Sequence, residues 1–195
     1  KYTYHFRYTQ DGQVLSESAP ATFKSRRSRL QGILHVRDNW TLAYDNGKPF
    51  RGVGINLCWE SRTEDDSKFF SDLHEQHDRF NFDAMLPDFA QNGGNFTRMW
   101  ICDWNFPIDR QDGFNNHRYT ETTEYMNESA CERLDHVLDL CEDLDIKIML
   151  CMGQGNVVAD QAFFTCPEAK TRYRNYLRYI VARWGYSPAI AMWEF

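Results

Sequence analysis

The sequence predicts an α/β protein in which four parallel strands alternate with crossover helices, after a short N-terminal β segment. Short apolar runs with little alternation recur along the chain, as in strands buried on both faces. Between them lie segments whose apolar residues recur at helical spacing. This order of strand, helix, strand, helix favours parallel strands joined by crossovers.

The N-terminal segment, residues 1–37, has the alternating pattern of exposed strands. In "YTYHFRYT" the aromatic residues fall on one face of a strand. "QDGQ" predicts a turn, and "GILHVR" predicts another short strand. We interpret the basic run "KSRRSR" between them as a solvated linker, with an anion-binding loop as the alternative. The segment is therefore predicted to be the end of a small β domain.

From Asp38 onward the chain predicts four buried strands, near residues 51–57, 94–101, 146–152 and 189–195. The pair Asn46–Gly47 signals a hairpin just before the first of them. Gly52 and Gly54 lie inside that strand and not in a turn after it. We interpret them as close packing and not as a phosphate-binding loop.

Three helices are predicted between and after these strands, over residues 81–92, 129–144 and 167–184. Ser129 and Glu132 have the spacing of a capping box at the start of the second helix. Pro167 suits the first turn of the third helix, and Gly185 suits its end.

The strands start about 45 residues apart, which is longer than a minimal strand–helix unit. The additional residues lie in the loop after each strand and before its helix. In a (β/α)8 barrel those loops build the active site.

Composition excludes several classes of function. A net charge of −6 argues against a nucleic-acid or anionic-membrane partner. No apolar stretch approaches the roughly 18 residues of a membrane span. The six cysteines form no C-x-x-C pair, and "HEQHD" lacks the H-E-x-x-H spacing. We therefore expect no metal and no other cofactor.

Three stretches carry a family resemblance: "GKPFRGVGINLCW", "NFTRMWICDW" with "LDHVLDLCEDLDIKIML", and "YLRYIVARWGYSPAIAMWEF". Together they resemble the first four βα units of clan A glycoside hydrolases, the cellulase-like (β/α)8 barrels. The resemblance covers roughly residues 38–195, and it implies that residues 1–37 are the C-terminal part of a small β-sandwich domain.

The resemblance implies a retaining O-glycosyl hydrolase that acts on a plant or microbial polysaccharide with two glutamates. In the family an Asn-Glu pair, whose Glu is the acid/base, directly follows the fourth strand. Here that pair would fall just beyond Phe195, and the nucleophile follows the seventh strand. Glu194 aligns with a glutamate inside the fourth strand. We therefore expect a fragment, cut at mid-barrel, that lacks both catalytic glutamates and is inactive alone.

The resemblance also implies roles for residues after the strands. Arg98 matches the arginine that holds the nucleophile; the alternative is a surface arginine. Indole faces stack on sugar rings and amides bind hydroxyls, although tryptophans are also common in cores. Gln154 stands where the family usually has a histidine. The candidate substrate-binding residues are Asn56, Trp59, Trp100, Trp104 and Gln154.

The expected partner is an oligo- or polysaccharide. We expect the full-length protein to be secreted, periplasmic or at the cell surface, although no signal peptide opens this chain. The isolated fragment is expected to self-associate through open sheet edges. The alternative function is a non-catalytic carbohydrate-binding or scaffold protein on a degenerate barrel.

Overall fold

The computed structural model describes residues 1–27, 30–38, 40–60, 81–102, 105–109, 119–120, 126–153 and 164–195. The chain divides into two compact units, Lys1–Gln31 and Gly32–Phe195. Their division falls before the predicted strand in "GILHVR". That residues 1–37 end a β-sandwich domain stays a prediction.

The first unit is built of short antiparallel strands whose residues are all exposed. β1 pairs with β4, and β2 pairs with β3. The turn between β2 and β3 has positive φ angles of 49° at Asp11 and 81° at Gly12, the geometry of a tight hairpin. The turn predicted at "QDGQ" is confirmed. The strands are β1 (Tyr2–Tyr4), β2 (Arg7–Gln10), β3 (Gln13–Glu17) and β4 (Ala21–Phe23).

The second unit opens with a three-stranded antiparallel sheet, β5 (Leu34–Arg37), β6 (Thr41–Tyr44) and β7 (Pro49–Phe50), in that order. The predicted hairpin at Asn46–Gly47 joins β6 to β7. Gly47 has a φ of 82°, which a residue without a Cβ adopts without strain.

A four-stranded sheet of parallel strands follows in the second unit, with each strand beside its neighbour in the chain. This confirms the predicted strand order and direction. The strands are β8 (Gly54–Ile55), β9 (Phe96–Trp100), β10 (Lys147–Cys151) and β11 (Ile190–Glu194).

The three predicted helices are present as α1 (Asn81–Gln91), α2 (Glu128–Asp143) and α3 (Pro167–Trp184). Their apolar residues share one core with alternate residues of the sheet. The core includes Phe82, Leu86, Met99, Leu134, Val137, Leu138, Ile148, Leu150, Ile180 and Trp184. In the described part of the chain, no helix is both long and apolar enough to cross a membrane.

This core fixes which face of β9 points away from the helices. Thr97 and Met99 are fully buried, and Met99 belongs to the helix-packed core. Side chains of a strand alternate between its two faces, so Arg98 and Trp100 lie on the opposite face.

Two local predictions were wrong. The first strand of the parallel sheet was expected to be buried on both faces, but β8 is two residues long and both are exposed. Within the described sheet β8 is an edge strand, paired only with β9. The N-cap of α2 is Asn127 and not Ser129, because Asn127 Oδ1 accepts the hydrogen bond from Ala130 N at 3.1 Å.

The close packing predicted for the "GVG" glycines is confirmed at Gly54. A Cβ at this position would lie 2.4 Å from the main-chain oxygen of Phe96. Only glycine lets β8 approach β9 this closely.

Candidate functional site

An ion pair between Arg98 and Glu194 lies on the face of the sheet that points away from the helices. Arg98 is on β9 and Glu194 is on β11, so the pair bridges the strand between them. Arg98 Nε donates to Glu194 Oε2 at 2.6 Å, and Arg98 Nη2 donates to Oε1. This two-point contact fixes the plane of the guanidinium as well as its position.

Cys151 supplies a third hydrogen bond to the same carboxylate. It is the last residue of β10 and stands directly beside Glu194 in the strand register. Its Sγ donates to Glu194 Oε2 at 2.8 Å. Sequence analysis missed this contact, because Cys151 resembles an ordinary core residue. The available signal was positional, since both residues end neighbouring parallel strands.

The hydrogen bonds from Arg98 and then Cys151 lower the pKa of Glu194 to about 2. Burial first, and the hydrogen bond to Glu194 second, raises the pKa of Cys151 to about 12. At neutral pH the cluster therefore holds a carboxylate anion, a guanidinium cation and a protonated thiol.

Trp100 contacts the ion pair through Arg98, and Trp59 packs on Trp100. The guanidinium carbon of Arg98 lies 5.1 Å from the centroid of the Trp100 ring. The Trp59 and Trp100 ring centroids are 5.2 Å apart, with the ring planes tilted by 51°. Both side chains are half-buried. Trp100 Nε1 is buried and has no acceptor in the described part of the chain.

The remaining predicted site residues are less informative. Asn56 directly follows β8 and is exposed. Trp104 and Gln154 lie outside the described residues, as do the histidines of "HEQHD". The structure thus brings together Arg98, Trp59 and Trp100 of the predicted set.

Asn105 is a fully buried polar residue that sequence analysis missed. Its Nδ2 donates to the main-chain oxygens of Trp100 at 2.7 Å and Cys58 at 3.4 Å. Its Oδ1 accepts from Glu60 N at 3.1 Å. The side chain therefore joins the segment after β8 to the end of β9.

A buried ion pair also lies behind the segment after β8. Arg133 on α2 donates from Nε to Glu60 Oε1 at 2.8 Å and from Nη2 to Glu60 Oε2 at 2.7 Å. Burial raises the pKa of Glu60, and the contacts from Arg133 oppose that shift. Arg133 also contacts Asp83 of α1, at 3.2 Å.

No group of three or more metal-binding side chains converges within the described ranges. Arg98, Glu194 and Cys151 form a charged, hydrogen-bonding cluster beside two aromatic rings. Such a cluster suits a ligand that has hydroxyl groups and apolar ring faces.

No family model matches the chain, and no curated protein sequence matches it. Several solved structures do share its fold. A β-mannanase from the blue mussel Mytilus edulis superposes with a TM-score of 0.54 and 19% identity, covering 84% of this chain and 45% of that one.

Two further structures show the same likeness. The endo-1,4-β-mannanase from Rhizomucor miehei gives a TM-score of 0.51 at 14% identity, over 84% of this chain and 48% of that chain. A Bacteroides vulgatus ATCC 8482 protein, provisionally described as a glycoside hydrolase, gives a TM-score of 0.56 at 17% identity. The match covers 91% of this chain and 36% of that chain. The chain spans less than half the length of each of these three proteins. At these identities the similarity is one of fold.

Proposed function

We propose that this chain is the first half of a glycoside hydrolase barrel, and that the full-length protein cleaves a polysaccharide by a retaining two-glutamate mechanism. The observation that carries the proposal is the Arg98–Glu194 pair beside Trp59 and Trp100. Trp100, Cys151 and Glu194 end three adjacent parallel strands, and barrel enzymes have their active sites at the carboxyl ends of such strands. The shared fold of the three solved structures supports it.

In this proposal Arg98 holds the catalytic nucleophile. Nε and Nη2 of Arg98 are engaged by Glu194. Nη1 makes no hydrogen bond within the described part of the chain, so that edge of the fork is available to a second carboxylate. A guanidinium in this position would keep the nucleophile ionised and correctly oriented.

Glu194 is not the acid/base in this proposal. A general acid needs a pKa near the working pH, and the pKa of Glu194 is about 2. The acid/base and the nucleophile are both assigned to residues after Phe195. The first would protonate the glycosidic oxygen, and the second would attack the anomeric carbon before water releases the sugar.

Trp59 is proposed as the surface on which a sugar ring stacks. One face of the Trp100 ring is occupied by the Arg98 guanidinium, so Trp100 is better placed to support Trp59 than to bind substrate. Asn56, Trp104 and Gln154 stay in the proposal as hydrogen-bonding or stacking residues for neighbouring sugars. We propose β-1,4-mannan as the first substrate to test, because two of the similar structures are mannanases by name.

The test is to express the complete coding sequence beside residues 1–195 and to measure release of reducing sugar from β-mannan and other β-glycans. We expect hydrolysis by the full-length protein and none by residues 1–195. The coding sequence should contain Asn-Glu within about three residues of Phe195. Robust turnover by residues 1–195 would show that the catalytic pair is misplaced. Binding without hydrolysis by the full-length protein would favour a non-catalytic carbohydrate-binding protein.

A further inference from the structure

The side chain of Asn105 contacts the main chain on both sides of Trp59. Its Oδ1 accepts from the N–H of Glu60, and its Nδ2 donates to the carbonyl of Cys58. The same Nδ2 donates to the carbonyl of Trp100. One buried amide thus binds the residues before and after one tryptophan, and the main chain of the other.

These contacts connect a constrained segment at two points. On the sheet side, Trp100 N donates to the Cys58 carbonyl at 2.8 Å. On the helix side, Glu60 is held by Arg133 and by the side chain of Asn81. Asn105 joins these two anchors across Trp59, so the backbone of Trp59 has little freedom to rotate.

We infer that Asn105 is a positioning residue that sets the geometry of the Trp59–Trp100 pair. The identity of the ligand that stacks on Trp59 rests on the proposed function; the positioning itself does not. The role needs both a donor and an acceptor, which a neutral amide supplies and a carboxylate does not. A carboxylate at this position would also face two carbonyl oxygens in a buried site, which is unfavourable.

Near-ultraviolet circular dichroism provides the test, because two indoles at this separation couple to one another. In the full chain, Trp59→Phe and Trp100→Phe define the part of the spectrum that comes from the pair. We expect Asn105→Ala and Asn105→Asp to lose the same part while the far-ultraviolet spectrum is kept. Asn127→Asp is the matched control, since Asn127 is also fully buried but its side chain hydrogen-bonds to Thr120, Ser129 and Ala130.

The outcomes separate clearly. If both Asn105 variants keep the near-ultraviolet signal of the tryptophan pair, the inference is wrong. If both variants lose the far-ultraviolet spectrum, Asn105 is needed for folding and not for positioning, and the inference is also wrong. In a second measurement, mannohexaose is titrated into each variant by calorimetry. If the wild type binds no mannohexaose but the Asn105 variants lose the near-ultraviolet signal of the pair, the positioning role is supported. That result would count against mannan as the ligand.

Discussion

Glu194 accepts hydrogen bonds from both Arg98 and Cys151, and this determines its protonation state. A lone carboxylate one residue from the end of the chain invites assignment as the catalytic acid. Its partners argue against that assignment, because they stabilise the anion. Glu194 instead holds the guanidinium of Arg98 in one orientation.

The first prediction concerns the acid stability of the chain. Glu194 has a folded-state pKa of about 2, against 4.5 for an unperturbed glutamate. Between these values the unfolded chain binds more protons than the folded chain. The stabilisation is therefore complete above about pH 4.5 and is lost as the pH falls toward about 2. Glu194→Gln should show a smaller fall in Tm across this range, measured by circular dichroism. Glu132→Gln, on the exposed face of α2, should behave like the wild type.

The second prediction concerns Arg98 in the full-length protein. Arg98→Ala should lower kcat by roughly a hundredfold, the scale at which single electrostatic contacts to the reacting groups act. The fold should be unchanged, because Arg98 lies outside the apolar core. Arg178→Ala, on the exposed side of α3, is the control. Equal kcat values for the two variants would exclude the proposed role of Arg98.

At the level of whole elements, the sequence predicted the helices well, because their apolar residues recur at regular spacing. The bounds of α3 match the predicted 167–184, because Pro167 and Gly185 mark its two ends. The N-cap of α2 was assigned wrongly because Asn127 and Ser129 are both good capping residues. Tertiary contacts decided between them: the Ser129 hydroxyl instead donates to Asn127 Oδ1 and accepts from Thr120 N.

The third prediction tests this assignment. Asn127→Ala should cost about 1–2 kcal/mol of stability, because it removes the cap of a buried helix end. Ser129→Ala should cost less, since the cap itself remains. Urea unfolding of the two variants measures the difference. If Ser129→Ala lowers the free energy of unfolding more than Asn127→Ala does, the N-cap assignment is wrong and the capping box predicted from the sequence is supported.

The fourth prediction concerns the ion pair that joins α2 to the segment after β8. Glu60 and Arg133 are 2% and 7% exposed, so removing one partner leaves a charge buried. Arg133→Met should destabilise the chain by about 3–5 kcal/mol. Adding Glu60→Gln should recover part of the loss, because no unpaired carboxylate is then left at position 60. Asp83→Asn, at a partly exposed partner of Arg133, should cost under about 1 kcal/mol. No recovery in the double variant would contradict the electrostatic account.

For the molecule as a whole, the sequence predicted the strand that carries Arg98 but not the contacts of that residue. Arg98 could be placed because a charged residue between apolar neighbours in a strand marks the polar face. Cys151 and Asn105 could not be identified in this way. Their contacts depend on the register of neighbouring strands and on a buried amide that joins segments 45 residues apart, from Glu60 to Asn105. Local patterns carry no information on such pairings.

The last prediction concerns association of residues 1–195. β8 and β11 are the edges of the described parallel sheet, and unpaired strand edges bind other strands. Near them Val53, Ile55 and Phe195 are 60%, 55% and 78% exposed. Exposed apolar residues beside an open edge favour contacts between chains. We expect size-exclusion chromatography with light scattering to show oligomers. Ile55→Lys should shift the population toward monomer, because a lysine on an edge strand must lose its hydration when two edges pair. A monodisperse wild-type monomer that unfolds cooperatively would contradict this expectation and, with it, the half-barrel architecture.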